Sequence, residues 1–202
     1  MKSRGCLIAA GVGGGLVLLL LIVLLWARGV YNSIVTMDEG VQSMWSQVES
    51  QYQRRADLIP NLVNTVKGFA SQEKEVLLGV TEARARVGQM NVTKDVINNP
   101  ESFQKFQAAQ DQLSSALSRL LVVAENYPQL KSNENFLALQ SQLEGTENRI
   151  AVARKNFNEA VQQYNTTIRR FPENIMAGFG NFHEKEYFKA QAGSENAPEV
   201  KF

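Results

Sequence analysis

Residues 48–69, VESQYQRRADLIPNLVNTVKGF, decide how this chain folds, because they combine a helical repeat with residues that a helical repeat resists. Val48, Leu62 and Phe69 are spaced by multiples of seven, in phase with Ile34 and Val41 upstream. Met37, Trp45, Tyr52, Ile59 and Val66 fill a second row. Spacings of three and four bring both rows onto one stripe of an α-helix. Arg54, Arg55, Asp57 and Pro60 interrupt it. Counting seven from Val48 lands on Arg55 and counting four from Tyr52 lands on Ala56, so the seam passes between them. Proline lacks the N–H that would bond the carbonyl four residues back, and costs about 3 kcal/mol in a regular helix interior. The stripe nevertheless continues in phase past Pro60 and no turn residues surround it, so a kinked helix is expected here, not a hairpin.

The charges allow two readings. Arg54 and Asp57 are three apart, close enough to pair along a solvated helix face. Alternatively, Arg54 or Arg55 meets Glu144 or Glu147 of a later helix in a buried inter-helix lock, with Arg149 and Arg154 following on the same segment. Such a lock would set register more than stability, because desolvating the charges offsets much of their attraction.

Upstream, residues 5–27, GCLIAAGVGGGLVLLLLIVLLWA, are uncharged and almost wholly apolar. At about 1.5 Å per residue they can cross the roughly 30 Å of a bilayer core. The run is about twice as long as a signal-peptide core, and WARGVYN offers no clean cleavage pattern, so a retained anchor is expected. Lys2 and Arg4 on one side against Arg28, Asp38 and Glu39 on the other put the N-terminus in the cytoplasm and the rest outside. Gly11, Gly14 and Gly15 offer a face for close helix approach in lipid. Cys6 reads as a small apolar residue at the membrane edge, since MKSRG is too short a leader for a lipoprotein cysteine.

Downstream, Val76, Leu77, Val80, Ala83, Val87 and Met90 form a second stripe, with Ser71 as its expected cap. NVTKDVINNP, 91–100, reads as a loop. Phe103, Phe106, Leu113, Leu117, Leu120, Leu121 and Ala124 mark a third helix from about Pro100 to Asn126, ended by Tyr127-Pro128. A fourth, from Ser132-Asn133 to about Arg170, carries Phe136, Leu139, Leu143, Ile150, Ala153, Phe157, Ala160, Val161, Tyr164 and Ile168. It would be roughly 55–60 Å long. The expected class is all-α: a transmembrane helix followed by an antiparallel up-down four-helix bundle with long first and last helices. The chain divides into a cytoplasmic stub and anchor (1–28), the bundle (29–170) and a tail (171–202). Phe171, Phe179, Phe182, Tyr187, Phe188 and Phe202 make that tail too aromatic to be an idle one, and they are its candidate contacts.

Little in the chain points to chemistry. The 202 residues include one histidine and one cysteine. His183 has only Glu184 and Glu186 nearby, without metal-ligand spacing, and Glu144 and Glu147 have no histidine on any bundle helix to complete a di-iron motif. GVGGG lies inside the anchor and follows no strand, so it is no phosphate loop. Outside Lys2, Arg4 and Arg28 the chain is slightly acidic, which gives no footprint for nucleic acid. No catalytic residue, cofactor or metal is expected.

WSQVESQYQRRADLIPNLVNTVKGFA, EKEVLLGVTEARA, YPQLKSNENFLALQSQLEGTENRIAVARKNFNEAVQQYN and the tail elements FPEN, YF and PEVKF together resemble the LemA family of bacterial proteins. The resemblance runs over nearly the whole chain. It implies a membrane-anchored four-helix bundle facing away from the cytoplasm, and no catalytic site. One relative is associated with building magnetosome membranes, which suggests envelope organisation. The expected role is a non-enzymatic, self-assembling scaffold of the bacterial inner membrane, whose partners are the lipid bilayer, further copies of the chain and an envelope protein. The rival reading is an adaptor that presents partners to a membrane protease or signalling protein.

Overall fold

In the computed structural model, backbone is described for residues 2–90 and 94–190, and side chains for 11–90 and 96–190. Phe202 and the side chains of Lys2, Arg4 and Cys6 lie outside the described residues. The described residues are mostly helical, without a strand: α1 (Lys2–Phe69), α2 (Lys74–Gln89), α3 (Pro100–Ala124), α4 (Pro128–Lys131), α5 (Glu134–Arg169) and α6 (Glu173–Phe179). A 3₁₀ turn, Lys94–Asn98, falls within the expected loop. The chain forms two compact units. One comprises Met1–Gly40 and Gln162–Glu184, the other Val41–Val161 and Lys185–Phe202.

The first unit contains the apolar run. A stretch of α1 has a mean hydropathy of 2.1 and none of it is buried, so it is long and apolar enough to cross a membrane. Beyond the run, Ile34 is buried, as are Tyr164, Ile168 and Ala177 of the returning segment. Tyr31 and Phe182 meet with ring centroids 5.6 Å apart.

The second unit is organised by the seam. Val41, Trp45, Val48, Tyr52, Arg55, Ile59, Leu62, Val66 and Ala70 are buried. The expected Phe69 is not; it is exposed and Ala70 takes its place. A straight helix drifts about 20° per heptad. Ala70 lies about eight turns of 3.6 residues beyond Val41, so it stays on the inner face while a strict heptad count walks off it. Ile59, Leu62 and Val66 share a core with Leu77 and Val80 of α2, Leu113, Leu117 and Leu120 of α3, Leu130 of α4, and Phe136 and Leu143 of α5.

Local chemistry sets the helix ends. Asn99 and Asn133 accept from the backbone N–H of Ser102 and Phe136, both at 3.0 Å, capping α3 and α5. Pro100 and Pro128 occupy first-turn positions, where no N–H is needed. Ser71 is not a cap: α2 starts at Lys74, and Glu73 at the cap position makes no side-chain capping bond. The Tyr127 hydroxyl instead donates to Glu73 Oε1 at 2.8 Å and accepts from Gln72 at 3.2 Å, clasping the turn after α1 to the end of α3. The third helix ends at Ala124, and Pro128–Lys131 form the single turn α4. Helix α1 runs through Pro60 without interruption.

Candidate functional site

Arg55 is the most buried charge among the described residues, with 1% of its surface exposed. It occupies the position on the Val48–Leu62 row that an aliphatic residue would otherwise fill. Its Nη1 donates to Ser114 Oγ at 2.7 Å and to Glu147 Oε1 at 2.8 Å. Its Nη2 donates to the side-chain and main-chain carbonyls of Gln110. The guanidinium lies 5.0 Å from the Tyr52 ring centroid. One guanidinium therefore binds acceptors on α3 and α5 while fixed to α1, a use of its rigid fork that lysine's point charge cannot copy. Of the three guanidinium nitrogens, Nε is left buried without a partner. Burial pushes the Tyr52 hydroxyl above the usual phenol range, opposed by the positive charges of Arg154 and Arg55.

Pro60 and Arg84 complete this layer. Proline at 60 cannot donate to the Ala56 carbonyl. Arg84 Nε of α2 donates to that oxygen at 3.0 Å, replacing the missing helical bond with a link to another helix. Arg54 and Asp57 are exposed and are not brought together; Asp57 accepts from Gln53 at 2.8 Å. Glu144, also exposed, accepts from Gln140 at 3.0 Å. Arg149 lines a shallow groove of about 620 Å³ between α1 and α5, beside Ser46, Ser50 and Val152.

A second cluster uses the tail. Phe188 is buried, its ring 6.1 Å from Trp45, 4.9 Å from Phe103 and 5.4 Å from Phe157. The extended chain there is held as a strand would be, but by side-chain amides. Asn158 donates to the Phe188 carbonyl at 3.0 Å and accepts from its N–H at 2.9 Å. Gln107 makes the same pair of bonds to Lys189 at 2.9 and 3.4 Å. Arg154 covers the Phe188 ring at 4.6 Å and donates to the Lys189 carbonyl at 3.0 Å. Beside it, burial raises the Asp111 carboxyl pKa against the pull of Arg154 and Arg55. Lys185 is buried too, donating to Asn98 at 2.7 Å. The other tail aromatics differ: Phe171, Phe179 and Tyr187 are exposed, and Phe182 lies on Tyr31.

Among the described residues no group of three or more His, Cys, Asp or Glu converges as a metal site. His183 is exposed and the neighbouring Glu184 faces Arg169 at 3.6 Å. What the two clusters can do chemically is hold helices and tail in register. Gln110, Asn158 and Gln107 were not read from the sequence. Gln110 could have been, since it fills the missing step between Phe106 and Leu113.

The sequence model of the LemA family matches residues 44–202, a stretch that includes both clusters. The chain belongs to the LemA family. Similar proteins include magnetosome protein MamQ 2 of Paramagnetospirillum magneticum, 27% identical over 181 residues, 82% of this chain and 66% of that protein. Magnetosome protein MamQ of Magnetospirillum gryphiswaldense is 28% identical, with 78% of this chain and 64% of that protein covered. Protein LemA of Metamycoplasma hominis is 22% identical, with 80% and 70% covered. This LemA-family chain thus spans about two thirds of the length of the MamQ relatives. Neither the family's description nor these names denotes a catalytic activity.

Proposed function

We propose that this LemA-family chain is a non-enzymatic, membrane-anchored scaffold of the bacterial cell envelope. In this reading α1, α2, α3 and α5 form an antiparallel up-down four-helix bundle outside the cytoplasm, the N-terminus lies inside, and copies associate side by side to organise or shape membrane. The observation that carries the proposal is α1 itself. One helix holds an unburied apolar span and also supplies Arg55, whose bonds to Ser114, Gln110 and Glu147 hold other helices to it. That arrangement spends its buried charge on rigidity. The magnetosome names of the MamQ relatives support a role at a membrane compartment. The small residues Gly11, Gly14 and Gly15 of the span support close helix approach within the bilayer. An envelope protein docked on the bundle surface would be a further partner.

Light scattering on the detergent-solubilised full chain tests the assembly. A mass that rises to a defined multiple of the protomer is the expected result, and a strictly monomeric mass over a wide concentration range would sink it. Protease accessibility of sealed inner-membrane vesicles tests the orientation: the bundle should be protected when the cytoplasmic face is outward.

A further inference from the structure

Within the first unit, three large apolar side chains on the returning segment are exposed. Phe171 is 76% exposed, Ile175 47% and Phe179 84%. They recur at intervals of four through α6 and the turn before it. Ile175 and Phe179 lie one turn apart on α6, and Phe171 lies in the turn before it, two residues ahead of Glu173. Side chains at i and i+4 share one face of a helix, which places Ile175 and Phe179 together. Ala177, on the same helix, is buried, so α6 has one face against the protein and an apolar face outside it.

The position of this face identifies its partner. The segment after α6 is fixed to α1 at Tyr31, where the Phe182 ring packs at 5.6 Å. Gly180 makes that approach possible: a Cβ there would collide with the Phe182 ring and lie 3.1 Å from Tyr31 Cε2. Tyr31 is four residues beyond Ala27, the last residue of the apolar run. At about 1.5 Å per residue it stands about 6 Å past the end of the run. The headgroup layer on each side of a bilayer is about 5–7 Å deep. Tyr31 and the segment docked on it therefore sit at headgroup level, where a short helix with aromatic residues on its outer face settles at the boundary with the acyl chains. Arg169 and Arg170, largely exposed although each faces a glutamate (Glu184 and Glu173), lead into this segment and Arg28 follows the run, so cations stand at the level of the lipid phosphates.

We infer that residues 171–179 form an interfacial wedge: Phe171, Ile175 and Phe179 enter the headgroup–acyl boundary of the same membrane that α1 spans. The returning chain is thereby held at the lipid surface beside the anchor, a second contact that fixes how α1 leaves the bilayer. The inference rests on the anchor reading, and the test separates the two. The full chain with Cys6→Ser is labelled with a nitroxide at Ile175→Cys or Phe179→Cys and reconstituted in phosphatidylethanolamine–phosphatidylglycerol vesicles. Leu19→Cys reports on the span and Glu159→Cys, on an exposed part of α5, provides the reference. The ratio of relaxation by oxygen to relaxation by a water-soluble nickel chelate should be several-fold higher at 175 and 179 than at 159, and highest at 19. Equal ratios at 175, 179 and 159 with a high ratio at 19 would overturn the wedge and leave the anchor standing. A low ratio at 19 as well would remove both. Low oxygen access at 175 and 179 with spin–spin broadening that vanishes on dilution with unlabelled protein would assign the face to a second copy, and overturn the wedge equally.

Discussion

Two layers of one core, about ten residues apart along α1, are built from opposite chemistry. Around Trp45 the core is aromatic: Phe103, Phe106, Phe157 and Phe188 all have ring centroids within 6.1 Å of the indole. Around Arg55 it is polar, with a guanidinium bound to Ser114, Gln110 and Glu147. The aromatic layer derives its stability from buried area and ring geometry, which tolerate small shifts between helices. The charge layer gains little net energy, because desolvation offsets attraction, but its donors meet their acceptors in one register only. The first layer supplies stability and the second specifies alignment.

The largest effects should come from the aromatic layer. Trp45→Ala or Phe188→Ala is expected to cost about 3–5 kcal/mol, read as a lowered midpoint of guanidinium unfolding followed by helical circular dichroism in detergent. Phe188→Ala has the added consequence of freeing the tail, so proteolysis between α6 and the C-terminus should accelerate well before the helices unfold. A Phe188→Ala protein with an unchanged midpoint would show that the ring only covers the core and does not complete it.

Breaking the charge layer should cost less, and reversibly so. Arg55→Met leaves Gln110 and Glu147 facing an apolar side chain. Glu147 keeps some solvent, so the loss is about 2–3 kcal/mol, below the roughly 3–5 kcal/mol of a fully buried broken pair. Replacing all three, as Arg55→Met with Gln110→Leu and Glu147→Leu, should recover wild-type stability or exceed it while broadening the amide spectrum as alternative registers become accessible. If the triple variant is stable and still gives one sharp set of signals, the layer does not specify register.

The sequence made much of this comparison legible, and the physical reason is periodicity. Helix α3 buries Phe103, Phe106, Gln110, Leu113, Leu117, Leu120 and Ala124, an unbroken alternation of three and four in which one member is an amide. Helix α5 has the same gap between Leu143 and Ile150, filled by buried Thr146. With Arg55 on α1, three seams each skip one apolar step. A skipped step on three helices marks a polar layer, and it is visible before any coordinates. The tail was less legible. Phe188 and Phe179 belong to the same aromatic-rich segment, yet one is core and the other is exposed. Composition cannot separate them, because the difference lies in the amides of Asn158 and Gln107 that hold the chain at 188 and 189, both distant in sequence. The missed boundary at Ser71 has a similar cause: the Tyr127–Glu73 contact replaces a local cap with a distant one.

Arg84 sharpens the comparison further, since its contribution depends on a defect in α1. Arg84→Ala should cost about 1–2 kcal/mol by orphaning the Ala56 carbonyl. In a Pro60→Ala background the alanine N–H can serve that carbonyl, so the same substitution should cost almost nothing. The double-mutant cycle would then return nearly the whole effect as coupling. Additive losses would mean that Arg84 acts through packing alone.

The smallest effect is spectroscopic and concerns phenols rather than rings or guanidinium. Burial, with Asp38 adding to it, raises Tyr164 to about 12, and burial also raises Tyr52. The unfolded value is about 10. The folded state thus favours the neutral phenol, and its stabilisation is intact below pH 10 and lost as the pH rises from 10 through 12. Titration at 295 nm should show part of the tyrosine absorbance appearing late, and Tyr164→Phe should remove the latest part of it, near pH 12, without changing the earlier phases. Tyr52 supplies the contrast, because positive charges from Arg55 and Arg154 oppose the effect of burial there. In Arg55→Met that opposition weakens, so the Tyr52 phase should move to higher pH while the Tyr164 phase stays in place. A shift of Tyr52 to lower pH would mean that losing the guanidinium opens the layer to water, and that the arginine seals the core as well as aligning it.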